Sequence, residues 1–117
     1  MDNDVVITRS ATHGRVAILK VEGRLDWKAA SQLLARGGEV AAEGRDLVIN
    51  LEGVTLISSS GLGALLALTE QFQEQSGEVR LVQLSPVVKA VLDLVDLEDV
   101  VTIDPDEATA LQNLKAA

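Results

Sequence analysis

The chain contains no cysteine and only two aromatic residues, Trp27 and Phe72. Without cysteine neither a disulfide nor a thiolate zinc site can form, which fits a reducing compartment. With so few aromatic rings, stacking platforms for nucleic-acid bases or sugars are not expected. The core must therefore be built from aliphatic side chains.

Basic residues are also scarce, since 10 lysines and arginines stand against 18 acidic residues, for a formal net charge of −8. A nucleic-acid binder needs clustered basic side chains to neutralise phosphates, so no nucleic-acid partner is expected. No apolar run approaches the length of a membrane span, and residues 1–4 are acidic where a secretory signal is basic. We expect a cytoplasmic protein with no membrane partner.

Aliphatic residues are plentiful, because 47% of the 117 residues are hydrophobic although so few are aromatic. That supply is enough to offset the conformational entropy lost when a chain of this size folds. We find no internal repeat, linker or low-complexity tract. Residues 1–117 are therefore expected to form a single domain.

Alternating strand and helix patterns predict a mixed α/β fold. Apolar, β-branched runs predict strands at 5–9, 16–21, 46–51, 79–84 and 100–103. The first two are separated by the turn formers of 10–14 and are typical of a hairpin, and helical periodicity follows each later strand. This order predicts a largely parallel sheet of four to five strands, an N-terminal hairpin and about four helices with right-handed crossovers.

Polar residues and glycines predict where the helices begin and end. Asp26 is a predicted N-cap, and the last two helices are expected to begin at Ser85-Pro86 and Asp104-Pro105. The pair Gly37-Gly38 is expected to break or fray the first helix, because each glycine costs about 1 kcal/mol relative to alanine in a helix interior. The residues 52–53 are predicted to form a loop after the central strand.

Three hydroxyls stand where a loop turns into an apolar helix, in Ser58-Ser59-Ser60-Gly61-Leu62-Gly63. The first turn of a helix has unpaired N–H groups and partial positive charge, so a hydroxyl or a phosphate is stabilised there. The two glycines remove side-chain bulk beside Ser60, which favours close approach by another protein. A serine at this position can be a cap alone, or a cap and a switch.

At this motif the sequence resembles the bacterial anti-sigma factor antagonists, which are built on the STAS domain shared with sulfate transporter tails. The resemblance covers nearly the whole chain and implies the STAS fold. It rests on Val21-Glu22-Gly23-Arg24-Leu25-Asp26, on Leu47-Val48-Ile49-Asn50-Leu51 leading through Val54 to Ser59-Ser60-Gly61-Leu62-Gly63, and on the stretch from Pro86 to Leu97.

The resemblance implies that Ser60 is phosphorylated by the partner anti-sigma factor, an ATP-dependent serine kinase with a histidine-kinase-like fold. A serine phosphatase would reset the protein, and Ser59 and Ser58 are alternative acceptors. The family's Asp before the two serines is Ser58 here, so a charge often present beside the phosphosite is missing. Asp26 matches an acidic residue implicated in partner contact, although a helix cap explains it equally well.

The implied function is an anti-sigma factor antagonist whose unphosphorylated form binds the anti-sigma factor and frees the sigma factor. Phosphorylation would block binding, because a close interface cannot easily desolvate the added charge. The implied partner-binding residues are Asp26, Ser58, Ser59, Ser60, Gly61, Leu62 and Gly63.

Two other functions fit the same sequence. One is a non-phosphorylated STAS scaffold in a lipid-transport ATPase complex or a stress-sensing assembly. The other is weak nucleotide binding at the helix start of Ser59-Ser60-Gly61, which is less favoured because the loop lacks lysine and the net charge repels nucleotides.

No pattern predicts an enzyme, a metal site or a cofactor. No histidine, lysine or carboxylate adjoins the serines as a base, and neither a Gly-x-Ser-x-Gly motif nor a Walker-type loop occurs. His13, the only histidine, is expected at the surface of a turn. The acidic cluster at 93–99 matches no calcium-loop spacing and is typical of a solvated helix end. Trp27 is expected to pack against the sheet, with a partner-facing position as the alternative.

Overall fold

The computed structural model describes residues 5–97 and 99–116. The expectation drawn from the acidic residues 1–4, and the Glu98 member of the acidic cluster, lie outside this part of the chain. The elements are β1 (Val6–His13), β2 (Val16–Leu25), α1 (Trp27–Ala42), β3 (Asp46–Ile57), α2 (Ser59–Glu74), β4 (Val79–Val82), α3 (Pro86–Val95), β5 (Thr102–Asp104) and α4 (Glu107–Ala116).

The five strands form one sheet whose spatial order follows the chain order, β1-β2-β3-β4-β5. The pair β1–β2 is an antiparallel hairpin, and the pairs β2–β3, β3–β4 and β4–β5 are parallel. The predicted mixed, largely parallel α/β fold is confirmed. Because β2, β3 and β4 run the same way, the helices that follow them all begin at one edge of the sheet.

Helices cover the two faces of the sheet unequally. The helices α1, α2 and α3 pack on one face in a large aliphatic cluster, in which Phe72 is the only aromatic ring. On the other face α4 places Ala110 and Leu114 over a small apolar cluster that includes Ile18 and Val48. Burying apolar side chains on both faces is the main source of stability and explains the near-continuous apolar centre of β3.

Three strands run past their predicted ends. β2 continues beyond Val21 to Leu25. β1 continues to His13 through a register shift between Arg9 and Ala11, so only Gly14 and its neighbour form the turn. β3 continues through the predicted loop at 52–53, and its pairing with β2 shifts register there. A Cβ built on Gly53 would lie 2.7 Å from Cγ of Glu22, so glycine permits this irregular but continuous pairing.

The expected break in α1 at Gly37-Gly38 is wrong, because the helix runs unbroken from Trp27 to Ala42. A Cβ on Gly37 would lie 2.6 Å from Cδ2 of the buried Leu68 on α2. Glycine is therefore present so that α1 and α2 can approach closely. Gly38 has nothing within 4 Å of the same position.

Of the two predicted cap-and-proline starts, one is confirmed and one is wrong. Ser85 caps α3 through the N–H of Val88, with proline at the first helical position. Asp104 instead lies in β5, where it accepts hydrogen bonds from Arg80 and Asn113. The acceptor at the start of α4 is Asp106, whose pKa is lowered by the hydrogen bond from the backbone N–H of Thr109.

Apolar residues recur at helical spacing along α3 and α4, but not all of these positions face the core. Val95 lies on the solvent side of α3, and Ala108 on that of α4. Among the side chains that the structure describes in these helices, the buried ones are Val88 and Leu92 on α3 and Ala110 and Leu114 on α4.

Candidate functional site

The starts of α1 and α2 lie side by side at one edge of the sheet. β2 ends at Leu25 and β3 ends at Ile57, and these two residues pair in the parallel ladder. The N–H of Ser58 then donates to the carbonyl of Leu25 over 3.0 Å. Asp26 and Ser58 therefore lie at neighbouring strand ends, each at the beginning of a helix. We call this region the helix-start edge.

Ser58 is the N-cap of α2. Its Oγ accepts a hydrogen bond from the N–H of Gly61 over 3.2 Å and donates to the carbonyl of Leu25 over 3.4 Å. Its backbone is extended, as an N-cap requires, and its side chain is half-buried. Ser58 thus supplies the oxygen acceptor that a short acidic residue at this position would supply, and its hydroxyl is already engaged.

Ser59 and Ser60 occupy the first two positions of α2, and both are exposed. The first turn contains no acidic residue, so its partial positive charge is not offset within the helix. A phosphate on either hydroxyl would stand in solvent at a favourable helix end. Geometry therefore permits modification at both residues and is least favourable at Ser58.

Asp26 is the N-cap of α1, as predicted. Its Oδ1 accepts hydrogen bonds from the N–H groups of Lys28 at 3.1 Å and Ala29 at 3.0 Å. The side chain is half-buried, and the cap accounts for its place in the chain. A direct contact between Asp26 and a partner protein stays a prediction.

The two glycines of the motif have different environments. A Cβ on Gly61 would lie 2.8 Å from Cγ of Leu25 and closer still to the carbonyl oxygen of that residue. Gly61 is thus required because α2 packs closely against the end of β2. From the sequence alone, the lack of a side chain there is interpreted instead as space for another protein. Gly63 is exposed, and a Cβ built there would have no neighbouring atom within 4 Å. Leu62, which lies between the two glycines, is partly buried against the core.

Two exposed apolar side chains lie at this edge, Trp27, for which the sequence leaves a partner-facing position as the alternative, and Leu56, for which it predicts no site role. Trp27, the first residue of α1, is 66% exposed, so the expectation that it packs against the sheet is wrong. Leu56, next to the last residue of β3, is 37% exposed. Helical spacing alone predicts that Trp27 faces the core. Leu56 is exposed beside a register shift in the β2–β3 pairing, and the sequence of the strand does not predict that shift.

An open groove lies elsewhere on the molecule. It has a volume of about 650 Å³, and its lining includes His13, Arg15, Asp46 and Glu78. These residues lie at the hairpin turn and at the beginnings of β3 and β4, so the groove is at the opposite edge from Ser60. His13 is exposed there, as predicted.

Within residues 5–97 and 99–116, no three histidine or acidic side chains lie close enough together to hold a metal ion. None of the helices in these ranges combines the length and apolarity needed to cross a bilayer.

Comparison with known proteins agrees with this fold and motif. The family model of the STAS domain matches residues 8–110. The chain belongs to the STAS domain family, which confirms the resemblance seen at the serine motif.

Relatives of known name are similar over almost the full chain. The anti-sigma F factor antagonist of Paenibacillus polymyxa is 26% identical over 105 residues, which cover 88% of this chain and 90% of that protein. A solved structure of an anti-sigma factor antagonist from Mycobacterium paratuberculosis superposes with a TM-score of 0.85 at 25% identity, covering 98% of this chain and 97% of that one.

A third relative is known in two states. The anti-sigma factor antagonist SpoIIAA in its unphosphorylated form gives a TM-score of 0.79 at 20% identity, covering 96% of this chain and 98% of that chain. The Bacillus cell fate determinant SpoIIAA in the phosphorylated form gives 0.72 at 20% identity, covering 93% and 99%. At this identity the similarity shows that the fold is shared.

Proposed function

We propose that the chain is an anti-sigma factor antagonist controlled by phosphorylation of Ser60. The unphosphorylated protein binds an anti-sigma factor, which is a serine kinase with a histidine-kinase-like ATPase fold, and the sigma factor is released. Phosphorylation prevents this binding, and a serine phosphatase restores it. The exposure of Ser60 on the first turn of α2, beside the start of α1, is the observation that carries the proposal.

The comparisons support the same function. All three proteins compared above are named as anti-sigma factor antagonists, and one of them, SpoIIAA, has been solved in an unphosphorylated and in a phosphorylated form. We assign the site to Ser60 because, in the resemblance of the serine motif to the family's motif, Ser60 takes the place of the phosphorylated serine. Ser58 is disfavoured because its hydroxyl is half-buried and engaged in capping.

The physical effect of phosphorylation is a local change in charge. A phosphate adds about −1.5 to −2 charges and three acceptor oxygens at neutral pH. The helix start accommodates that charge in solvent, whereas a close protein interface would have to desolvate it. We therefore expect the fold to persist and the contact surface alone to be blocked.

The protein acts in this scheme as a binding partner and a kinase substrate, not as a catalyst. The hydrogen bonds of the Ser58 hydroxyl are those of a helix cap, and they join it to backbone groups and not to a base. We place the activity in the bacterial cytoplasm, where sigma factors engage RNA polymerase.

Phosphate mapping tests the proposal. The purified chain is incubated with ATP and each histidine-kinase-like ATPase of the same genome, and the modified residue is identified by mass spectrometry. We expect one kinase to modify Ser60, Ser60→Ala to abolish the reaction, and the matched variant Ser59→Ala to retain it. Phosphate on Ser58 or Ser59 alone, or no phosphate with any of these kinases, contradicts the proposal.

A further inference from the structure

Of the two exposed large hydrophobic side chains at the helix-start edge, Trp27 and Leu56, Trp27 is the more exposed. It is the only tryptophan of the chain, and 66% of its surface is accessible. The residue directly precedes the first-turn amides of α1 that Asp26 caps, and Asp26 lies beside Ser58 at the ends of β2 and β3. The indole therefore belongs to the same edge as the exposed Ser60.

Packing within the chain does not account for this side chain. The aliphatic cluster beneath α1 includes Ala29, Ala30 and Leu33, but not Trp27. The ammonium group of Lys28 lies 5.7 Å from the ring centroid, a contact that leaves most of the indole in solvent. An exposed tryptophan beside a contact surface is the residue type most often found to dominate binding energy.

We propose that Trp27 is a docking anchor that inserts into an apolar pocket of the anti-sigma factor and so helps to select the cognate partner. This proposal rests on the proposed function. The occupant is a protein whose surface offers an apolar pocket for an indole next to the groups that contact Ser60. Leu56, also exposed at the end of β3, extends the apolar area available to that partner.

The position of the indole suggests a division of roles at the edge. Binding energy comes from burying Trp27, and control comes from the charge state of Ser60 on the neighbouring helix. Since phosphorylation leaves the indole in place, the anchor remains present in both states, and only the added charge prevents docking.

Because the chain has one tryptophan, replacing it with 5-fluorotryptophan gives a single ¹⁹F resonance from the helix-start edge. The labelled chain is titrated with the anti-sigma factor that phosphorylates it, while size-exclusion chromatography follows complex formation. We expect the resonance to shift or broaden in proportion to the complex. An unchanged resonance while the complex forms overturns the proposal.

Affinity measurements add an independent readout. We expect Trp27→Ala to weaken binding about 30-fold or more, the loss typical of truncating a hot-spot tryptophan, and Trp27→Phe to lose less. The matched control is Leu94→Ala, which truncates an 85% exposed apolar side chain near the far end of α3. Equal affinity of Trp27→Ala and Leu94→Ala overturns the anchor.

The two proposals fail in different ways. If the wild type binds the anti-sigma factor and is released by phosphorylation, but Trp27→Ala binds with normal affinity, only the proposal that Trp27 is an anchor is contradicted. If the wild type never binds an anti-sigma factor, the proposed function itself is lost. A ¹⁹F shift that depends on the chain's own concentration without partner assigns Trp27 to self-association and also overturns the anchor.

Discussion

Ser58, Ser60 and Gly61, at the start of α2, have separate roles that their side chains explain. Ser58 caps the helix with a half-buried hydroxyl, while Ser60 projects its hydroxyl into solvent. Gly61 lets the helix approach the end of β2, since any side chain there would collide with Leu25. The exposed hydroxyl is therefore held in place by a capping residue and a packing residue on either side of it.

The two motif glycines provide a matched test of this assignment. Gly61→Ala forces a methyl group against backbone and side-chain atoms of Leu25, and we expect a loss of about 2–3 kcal/mol in the free energy of unfolding. Gly63→Ala meets open space and removes a poor helix former, so we expect a gain of up to about 1 kcal/mol. Urea denaturation measures both. Similar effects of the two substitutions would show that Gly61 has no special packing role.

At the scale of helices and strands, the order and type of all nine elements followed from hydrophobic periodicity. The errors fell where a contact with another element decides the outcome. Gly37 is unfavourable within α1 taken alone, but the helix passes through it because Leu68 of α2 occupies the space beside it. The propensity of an isolated segment contains no information about such a neighbour.

The same holds for the candidate site: features that depend on residues close in sequence could be predicted, and features that depend on contacts between elements could not. The serine motif and the Asp26 cap could be found in the sequence because capping depends on residues three or fewer positions away. From the sequence alone, the exposure of Trp27 is one of two alternatives, because helical spacing does not show on which side of α1 the core lies at its first residue. The adjacency of the two helix starts depends on the β2–β3 register, which includes two shifts.

The α1–α2 contact offers a second matched pair. In Gly37→Ala the new methyl group would lie 2.6 Å from Cδ2 of the fully buried Leu68, and we expect a net loss of about 1–2 kcal/mol after the gain in helix propensity. In Gly38→Ala no neighbour is met, and a gain of up to about 1 kcal/mol is expected. Thermal unfolding checks both variants. Stabilisation by Gly37→Ala would show that the helices do not pack as closely as described.

At the scale of the whole molecule, charged groups tie the hairpin to the end of α1. Glu43 follows α1 and accepts hydrogen bonds from Arg9 of β1 at 2.7 and 2.8 Å and from Arg45 at 2.8 Å. These contacts, chiefly the hydrogen bond from Arg9, lower the pKa of Glu43 from 4.5 to about 2. The guanidinium of Arg45 also donates to the carbonyl of Gly14 in the hairpin turn. The group is exposed, so solvent and salt screen its contribution.

The lowered pKa sets the direction of a pH dependence. A carboxyl whose folded-state pKa is depressed stabilises the fold above its unfolded value, and this stabilisation is lost as pH falls through the folded value. The deficit of Glu43→Gln relative to wild type is therefore expected to be full above about pH 4.5 and to vanish toward about pH 2. Urea midpoints across that range measure it, with the exposed Glu70→Gln on α2 as the control. A deficit independent of pH would indicate that the ion pairs with Glu43 do not contribute.

The sheet places the helix-start edge and the large groove at opposite edges of the molecule. Both α1 and α2 are fixed to the ends of buried strands. Because Ser60 is exposed, a phosphate there has no packed side chain to displace. Phosphorylation is expected to change the charge of the surface without changing the fold, and to weaken binding to the anti-sigma factor strongly.

The most direct test is the affinity of the cognate anti-sigma factor for the chain with and without phosphate on Ser60, measured by titration calorimetry on otherwise identical protein. We predict tight binding of the unmodified chain, no detectable binding of the phosphorylated chain, and indistinguishable circular dichroism spectra for the two forms. Equal affinity of the two forms, or loss of binding accompanied by a change in secondary structure, would contradict a switch that works by surface charge at the start of α2.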